Sequence, residues 1–331
     1  MPQMTPRERT LAAVKGEPAD RPPGGFWGHD FLREWSVEGL AAAMIESVQT
    51  YGYDFLKVNP RATYYAEAWG CRYRALDDGV SSPELISSVL DEPSDLERLR
   101  AVDGTGGPFG EQLAAVRVIR NELGKLPLMQ TVFSPLSVVG RLCSDRKIVR
   151  RWMDESPAAL HAALAAVSET LAVYSSACLN AGADGIFFAT TEWATYNALT
   201  LQQYNAFGRP YDLRVLEAAE GAAMNVLHVC RPNNMLTELL DYPVAVVNWA
   251  QHAAGNPTLA DVLPKAGKAV MGGVDERYEL LRGSPDDVQR EVRKAIAQTG
   301  GRRFLLAPGC SIEPVTPPEN IRAAMAALAG A

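Results

Sequence analysis

Apolar residues recur along this chain in two alternating rhythms. Short continuous runs fall at residues 26–27, 55–58, 128–133, 185–189, 225–230, 244–249, 269–275 and 304–306. They have the length of strands, and most lack polar alternation, as expected of parallel strands covered on both faces. Between them lie longer stretches with apolar positions every three or four residues, the spacing of helices that bury one side. These predict helices at about 5–14, 36–51, 109–123, 136–142, 146–153, 157–182, 201–220, 258–264, 284–298 and 316–328.

The punctuation agrees with these periods. Thr5-Pro6-Arg7-Glu8 has the form of a capping box with proline at the first helical position. Ser284-Pro285-Asp286-Asp287 and Thr316-Pro317-Pro318-Glu319 repeat the idea near the other end. Pro135 keeps Ser134 out of helical geometry. Residues 66–105 fit neither rhythm and read as an excursion.

Right-handed crossovers between parallel strands give an open doubly wound sheet or a closed barrel. Eight strand-like runs alternating with helices in 331 residues fit a (β/α)8 TIM barrel: one α/β domain over 1–331, with insertions and an N-terminal helix. No Gly-x-Gly-x-x-Gly follows the first strand, which disfavours a dinucleotide-binding sheet. Polar residues follow the strands at Asn59, Glu192, Cys230, Gln251, Asp275 and Cys310. In a barrel these are expected to share the C-terminal mouth.

Composition narrows the class. The net charge is −7 and basic residues are dispersed, so neither nucleic acid nor an anionic membrane surface is an expected partner. The N-terminal stretch from Met1 is polar, and no apolar run reaches the ~18 residues of a membrane span. A cytoplasmic monomer or homodimer is expected. Five widely spaced cysteines make no disulfide framework.

Two of those cysteines carry chemistry. His228 and Cys230 are two apart at the end of a strand, so both side chains share one face. Cys310 ends another strand, after Pro308-Gly309. One imidazole and two thiolates suit zinc with an open fourth position. Two thiolates neutralise the ion and make it a poor acid toward water. It stays well suited to a soft thiol, which binds deprotonated as an activated nucleophile. Attack of such a thiol on an electrophilic carbon, such as a methyl group, is the expected reaction class. Cys71, Cys143 and Cys178 have no partner at ligand spacing and read as structural.

Several other residues are candidates. Glu192 and Asp275 are the candidate catalytic residues, Glu192 as a fourth ligand or an acid/base and Asp275 as a polar anchor at the mouth. Asn59, Arg61, Tyr64, Gln251 and His29 are expected to contact substrate, with Tyr65 and His252 beside them. Asp54, ahead of a strand, either serves the barrel's function or caps the strand start. His161 reads as an exposed helix position.

Three stretches resemble the uroporphyrinogen decarboxylase superfamily: Met4-Thr5-Pro6-Arg7-Glu8-Arg9 through Arg21-Pro22-Pro23, Ala181-Gly182-Ala183-Asp184-Gly185-Ile186, and Ala307-Pro308-Gly309-Cys310-Ser311-Ile312 with Thr316-Pro317-Pro318-Glu319-Asn320. The resemblance implies a (β/α)8 barrel. One branch decarboxylates uroporphyrinogen without a cofactor and grips its carboxylates with an N-terminal Met-Arg-Gln-Ala-Gly-Arg motif. Here the matching stretch, Phe26-Trp27-Gly28-His29-Asp30-Phe31-Leu32-Arg33, lacks the arginine pair. The other branch, the corrinoid:thiol methyltransferases, is marked by His-x-Cys…Cys, which His228, Cys230 and Cys310 match. The resemblance therefore implies Zn²⁺ at these residues, a methyl group carried on a corrinoid protein, and a thiol or other acceptor. Coenzyme M, homocysteine, another thiol and a folate stay open as acceptors. The alternatives are a decarboxylase of tetrapyrrole metabolism and a non-catalytic corrinoid- or ligand-binding barrel.

Overall fold

Alternate residues of each barrel strand face two different cores. The structure, a computed structural model, describes residues 3–330; Met1 and Pro2 of the polar N-terminal stretch, and Ala331, lie outside the described residues. Its strands are β1 (Leu56–Val58), β2 (Arg72–Arg74), β3 (Glu84–Ser87), β4 (Leu128–Phe133), β5 (Gly185–Ala189), β6 (Val226–Val229), β7 (Val246–Trp249), β8 (Ala269–Val274) and β9 (Phe304–Pro308). Seven of them form one sheet in the order β1-β4-β5-β6-β7-β8-β9. Every pairing within it is parallel. Leu227, Val229, Val247, Trp249, Val270, Phe304 and Leu306 pack outward under the helices. Met129, Phe187, Val226, Val246, Ala269, Met271, Leu305 and Ala307 fill a separate inner core. That period of two places Lys57, Thr131, His228 and Asn248 on the inner side as well.

The sheet curls into a (β/α)8 barrel whose eighth stave is irregular. The expected strand at Phe26-Trp27 is not a regular one. The segment instead makes single bridges, from Gly24 to Leu306 in β9 and from Gly28 to Ile312 in the loop beyond it. Leu306 N–H donates to Pro23 O at 2.8 Å, and Gly25 N–H to Leu306 O at 3.1 Å. On the other side Asp54 N–H donates to Gly24 O at 2.8 Å. Pro22 and Pro23 bring no N–H groups, so a full ladder cannot form. A Cβ at Gly25 would lie 2.7 Å from Phe55 O, so only glycine lets the seam close this tightly.

The N-terminal helix Pro6–Lys15 has the expected Thr5–Glu8 capping box. Its Ala13 and Val14 join the inner core with Met224 and Ala269, closing the N-terminal end of the barrel. Ser36, Ser134 and Ser284 cap their helices. Thr316 does not: the last helix, Pro318–Ala329, has Pro317 at its N-cap and no side-chain cap. The helix expected over 201–220 is two, Leu201–Phe207 and Arg209–Glu217, broken at Gly208 ahead of Pro210. The excursion after β1 is ordered. It holds helix Tyr64–Ala68, an antiparallel β2–β3 hairpin and helix Pro93–Arg98.

One helix, Pro157–Asn180, is long and apolar enough to cross a membrane, contrary to the reading of the sequence. Half of its apolar window is buried in the fold, with Leu160, Leu164, Val167 and Leu171 fully inside, so its hydropathy is that of a core helix.

Candidate active site and metal centre

β6 pairs with β7 in a register that sets His228 beside Asn248. The side chains meet: His228 Nδ1 and Asn248 Oδ1 are 2.5 Å apart. The amide cannot turn round, because its Nδ2 donates to Met271 O at 2.9 Å and to Pro308 O at 3.1 Å. Its oxygen must face the ring, so Nδ1 carries the proton and Nε2 keeps its lone pair. The imidazole is 5% exposed and stacks on Phe187 at 5.2 Å.

Cys230 follows β6 and Cys310 follows β9. Their sulfurs lie 3.5 Å apart although 80 residues separate them in the chain. Donor atoms of His228, Cys230 and Cys310 all fall within 4.8 Å of one another, the single such group among the described residues. Each cysteine is positioned by a sharp turn. Arg231 takes a left-handed φ of 74° just after Cys230. Gly309 precedes Cys310, and a Cβ there would lie 3.1 Å from Trp249 O and 3.2 Å from Glu276 Oε2. Gly309 N–H donates to Glu276 Oε2 at 3.1 Å. Burial and the nearby Cys310 push the Glu276 carboxyl up to about 7.

The two thiols share a buried space. A hydrogen bond from Cys230 holds Cys310 well below the ordinary thiol range, and the His228 ring works in the same direction. An electron-rich sulfur pair beside a free imidazole nitrogen suits a soft or borderline divalent cation, and zinc fits the donor set.

These donors open into a cavity of about 290 Å³, walled by Trp27, Phe133, Phe187 and Tyr65. Its inner end holds Lys57, 5% exposed, with the ammonium 4.8 Å from the Phe187 centroid and hydrogen-bonded to Asn59 Oδ1. Burial pushes Lys57 down to about 7, opposed by the charge of Cys310. Arg141, Arg146, Arg231 and Glu192 also line the cavity. Burial raises the Glu192 carboxyl, but Arg141 at 3.7 Å and Arg146 at 2.7 Å outweigh it and leave the group below its ordinary value.

The expected site residues divide. His29, Asn59, Glu192, His228, Cys230 and Cys310 all line this cavity. Glu192 is not among the clustered donors; it is held by its arginines. Arg61 is turned away, paired with Glu67 and Glu111 at 2.8 Å each. Tyr64 is fully buried in the helical layer, its hydroxyl 3.2 Å from both Thr131 O and the Tyr174 hydroxyl. Its neighbour Tyr65 takes the cavity position, because a helix begins at Tyr64 and sends successive side chains apart. Gln251 lines a separate small cavity with His252 and Glu291. Asp275 Oδ1 accepts from the N–H groups of Arg277 and Tyr278 and shapes the turn after β8. The mouth therefore does not gather every polar residue that follows a strand. Sequence reasoning missed Lys57, Asn248 and Glu276. The signal for the first two was a polar residue inside an otherwise apolar strand.

Asp54 settles as structural: it pairs with Arg9 at 2.6 Å and Arg21 at 2.7 Å and accepts from Gly24 N–H at 2.9 Å. His161 is half-buried rather than exposed, 2.7 Å from the Tyr211 hydroxyl.

Fold and site together define a (β/α)8 barrel with one imidazole and two thiols clustered at its C-terminal mouth. The chain belongs to the uroporphyrinogen decarboxylase (URO-D) family, whose model matches residues 33–330. It is 24% identical over 340 residues to a methylcobamide:CoM methyltransferase of Methanosarcina acetivorans, covering 97% of each chain. It is 26% identical over 244 residues to a uroporphyrinogen decarboxylase of Syntrophotalea carbinolica, covering 70% of this chain and 69% of that one. The structure of a methyltransferase from Methanosarcina mazei has the same fold, with a TM-score of 0.86, 23% identity and 99% of each chain covered.

Proposed function

We propose that this protein is a zinc-dependent methyltransferase, moving a methyl group between a corrinoid on a partner protein and a thiol-type acceptor. One observation carries the reading: donors of His228, Cys230 and Cys310 converge within 4.8 Å at the wall of a cavity. The methylcobamide:CoM relative, aligned along nearly all of this chain, supports the same class.

Bound zinc would supply acidity, holding the acceptor sulfur as a thiolate at neutral pH. The remaining work falls to side chains. Asn248 fixes the His228 tautomer. Cys230 and Cys310 contribute charge and softness. Trp27, Phe133 and Phe187 give the cavity an apolar wall beside the donors, which strengthens charge interactions next to it. The Lys57 ammonium offsets the negative charge that a third sulfur brings.

Purified protein should hold about one zinc per chain, and Cys230→Ser and Cys310→Ser should each lower that content. Loss of methylcobalamin absorbance on adding a thiol reports turnover. Absence of zinc, together with full activity in both variants, rules the reading out. A decarboxylase reading draws on the second relative. It is disfavoured by the cavity's cations: Arg141 and Arg146 are engaged by Glu192, leaving few for a substrate with eight carboxylates. Incubation with uroporphyrinogen, followed by chromatography for decarboxylated products, tests it directly.

A further inference from the structure

A second pair of side chains at the cavity has no part in holding a metal. His29 Nδ1 lies 2.7 Å from Glu34 Oε2. The Glu34 side chain is 1% exposed, and its other oxygen has no hydrogen-bond partner. A buried carboxylate with one strong partner orients that partner firmly. Nδ1 therefore carries a proton directed at Glu34, and Nε2 is the basic nitrogen. Stacking on Phe31, with ring centroids 4.9 Å apart and planes 8° from parallel, fixes the ring further. The backbone is pinned too: Gly28 bridges to Ile312, and Ile312 N–H donates to Trp27 O at 2.9 Å. Ile312 is two residues beyond Cys310, so the imidazole is tied to the cysteine-bearing loop.

His29 also stands between two spaces. It lines the cavity of His228, Cys230 and Cys310, and it lines a neighbouring cavity of about 280 Å³ that includes Asp30, Arg33 and Glu313. A ring bordering both can take a proton on one side and release it on the other.

The acceptor's thiol proton needs such a route. Arg141, Arg146 and Arg231 cannot take it. Glu192 is engaged by two arginines. Lys57 is held at the inner end of the cavity, its nitrogen committed to Asn59 Oδ1 and packed on the Trp27 and Phe187 rings. His228 is committed as a ligand. Resting on the thiol-acceptor reading above, we infer that His29, oriented by Glu34, is the base that removes the acceptor's S–H proton. The S–H bond breaks and its electron pair stays on sulfur. An N–H bond forms at Nε2, Nδ1 keeps its bond to Glu34, and the imidazolium then passes the proton to solvent. In this scheme Glu34 is a positioning residue.

The test follows proton release when zinc-loaded protein is mixed with a thiol, using a pH indicator in a stopped-flow instrument without any corrinoid. Two thiols are compared: mercaptoethanol, protonated at neutral pH, and 4-nitrothiophenol, already ionised there. His29→Gln should keep its zinc and release the mercaptoethanol proton about 10²-fold more slowly or worse. Added imidazole should restore the rate, and Glu34→Gln should show a smaller defect. Nitrothiophenol, which has no proton to lose, should bind His29→Gln at the wild-type rate, showing that the variant is intact. Wild-type proton release in His29→Gln, or equal slowing of both thiols, overturns the role of His29 alone. Absence of proton release in the zinc-loaded wild type overturns the thiol reading and this inference with it.

Discussion

The Asn248 side chain bonds three groups that belong to three strands: His228 on β6, Met271 on β8 and Pro308 on β9. One amide thereby fixes the tautomer of His228, the first candidate metal donor, and anchors the strand that leads to Cys310. Asn248→Ala leaves a buried Nδ1–H and two buried carbonyls without their partner, each a desolvation penalty. Zinc affinity should fall about 10–100-fold, as for other partners of metal-bound histidines. Competition with a chromophoric chelator measures it. Wild-type affinity in this variant would show that the strands alone hold the ring.

Lys57 is a buried amine, pushed down to about 7 by burial, with no carboxylate among the groups that act on it. An ammonium in that position opposes folding. Lys57→Met keeps the length of the side chain and removes the charge. The zinc-free variant should be more stable by about 1–4 kcal/mol, while methyl transfer falls. Denaturant unfolding of zinc-free protein and a turnover assay on the loaded form give the two signs. A destabilised variant would mean that Lys57 contributes mainly by packing against Trp27 and Phe187.

Much of this was legible in the chain. Parallel strands covered on both faces leave continuous apolar runs, so β1 and β4 to β9 stand out, and the place of the remaining stave at Phe26-Trp27 was legible too. Its irregularity was not, because Pro22 and Pro23 replace a ladder with isolated bridges. His228, Cys230 and Cys310 were legible because strand ends in a barrel share one mouth. Arg61 and Tyr64 were not, because the direction of a side chain in a loop depends on where the next helix starts. Here that helix begins at Tyr64, and one residue separates a core tyrosine from a cavity tyrosine. Lys57 and Asn248 are visible as polar interruptions, but their partners come from other strands and only register reveals them.

Asp54 closes the seam between the irregular stave and β1. It binds Arg9, Arg21 and Gly24 N–H together. Arg9 keeps Asp20 when Asp54 is lost, so its charge is not wholly stranded. Asp54→Ala should still cost about 3 kcal/mol, because a buried guanidinium loses one of two counter-ions. The urea midpoint should drop while zinc content per folded chain stays unchanged. Loss of zinc without loss of stability would instead place Asp54 in the chemistry of the site.

Asp212 gives a pH dependence that is separate from the metal centre. It is fully buried in helix Arg209–Glu217, and Oδ2 accepts from the hydroxyls of Tyr204 at 2.6 Å and Tyr242 at 2.9 Å. Burial pushes its carboxyl up to about 7, the tyrosine bonds working against it. Between about pH 4 and pH 7 the unfolded chain has already released this proton while the folded chain keeps it. The native state binds more protons there, so stability falls as pH rises through that window and levels off above it. The loss from this one group is on the order of 4 kcal/mol. Asp212→Asn cannot ionise and can still accept from both hydroxyls. Relative to the wild type it should be less stable near pH 5, where its added N–H₂ meets the place of an unpartnered oxygen, and more stable near pH 8. Urea midpoints at the two pH values decide it. A difference between variant and wild type that does not change with pH would show that Asp212 is ionised in the fold.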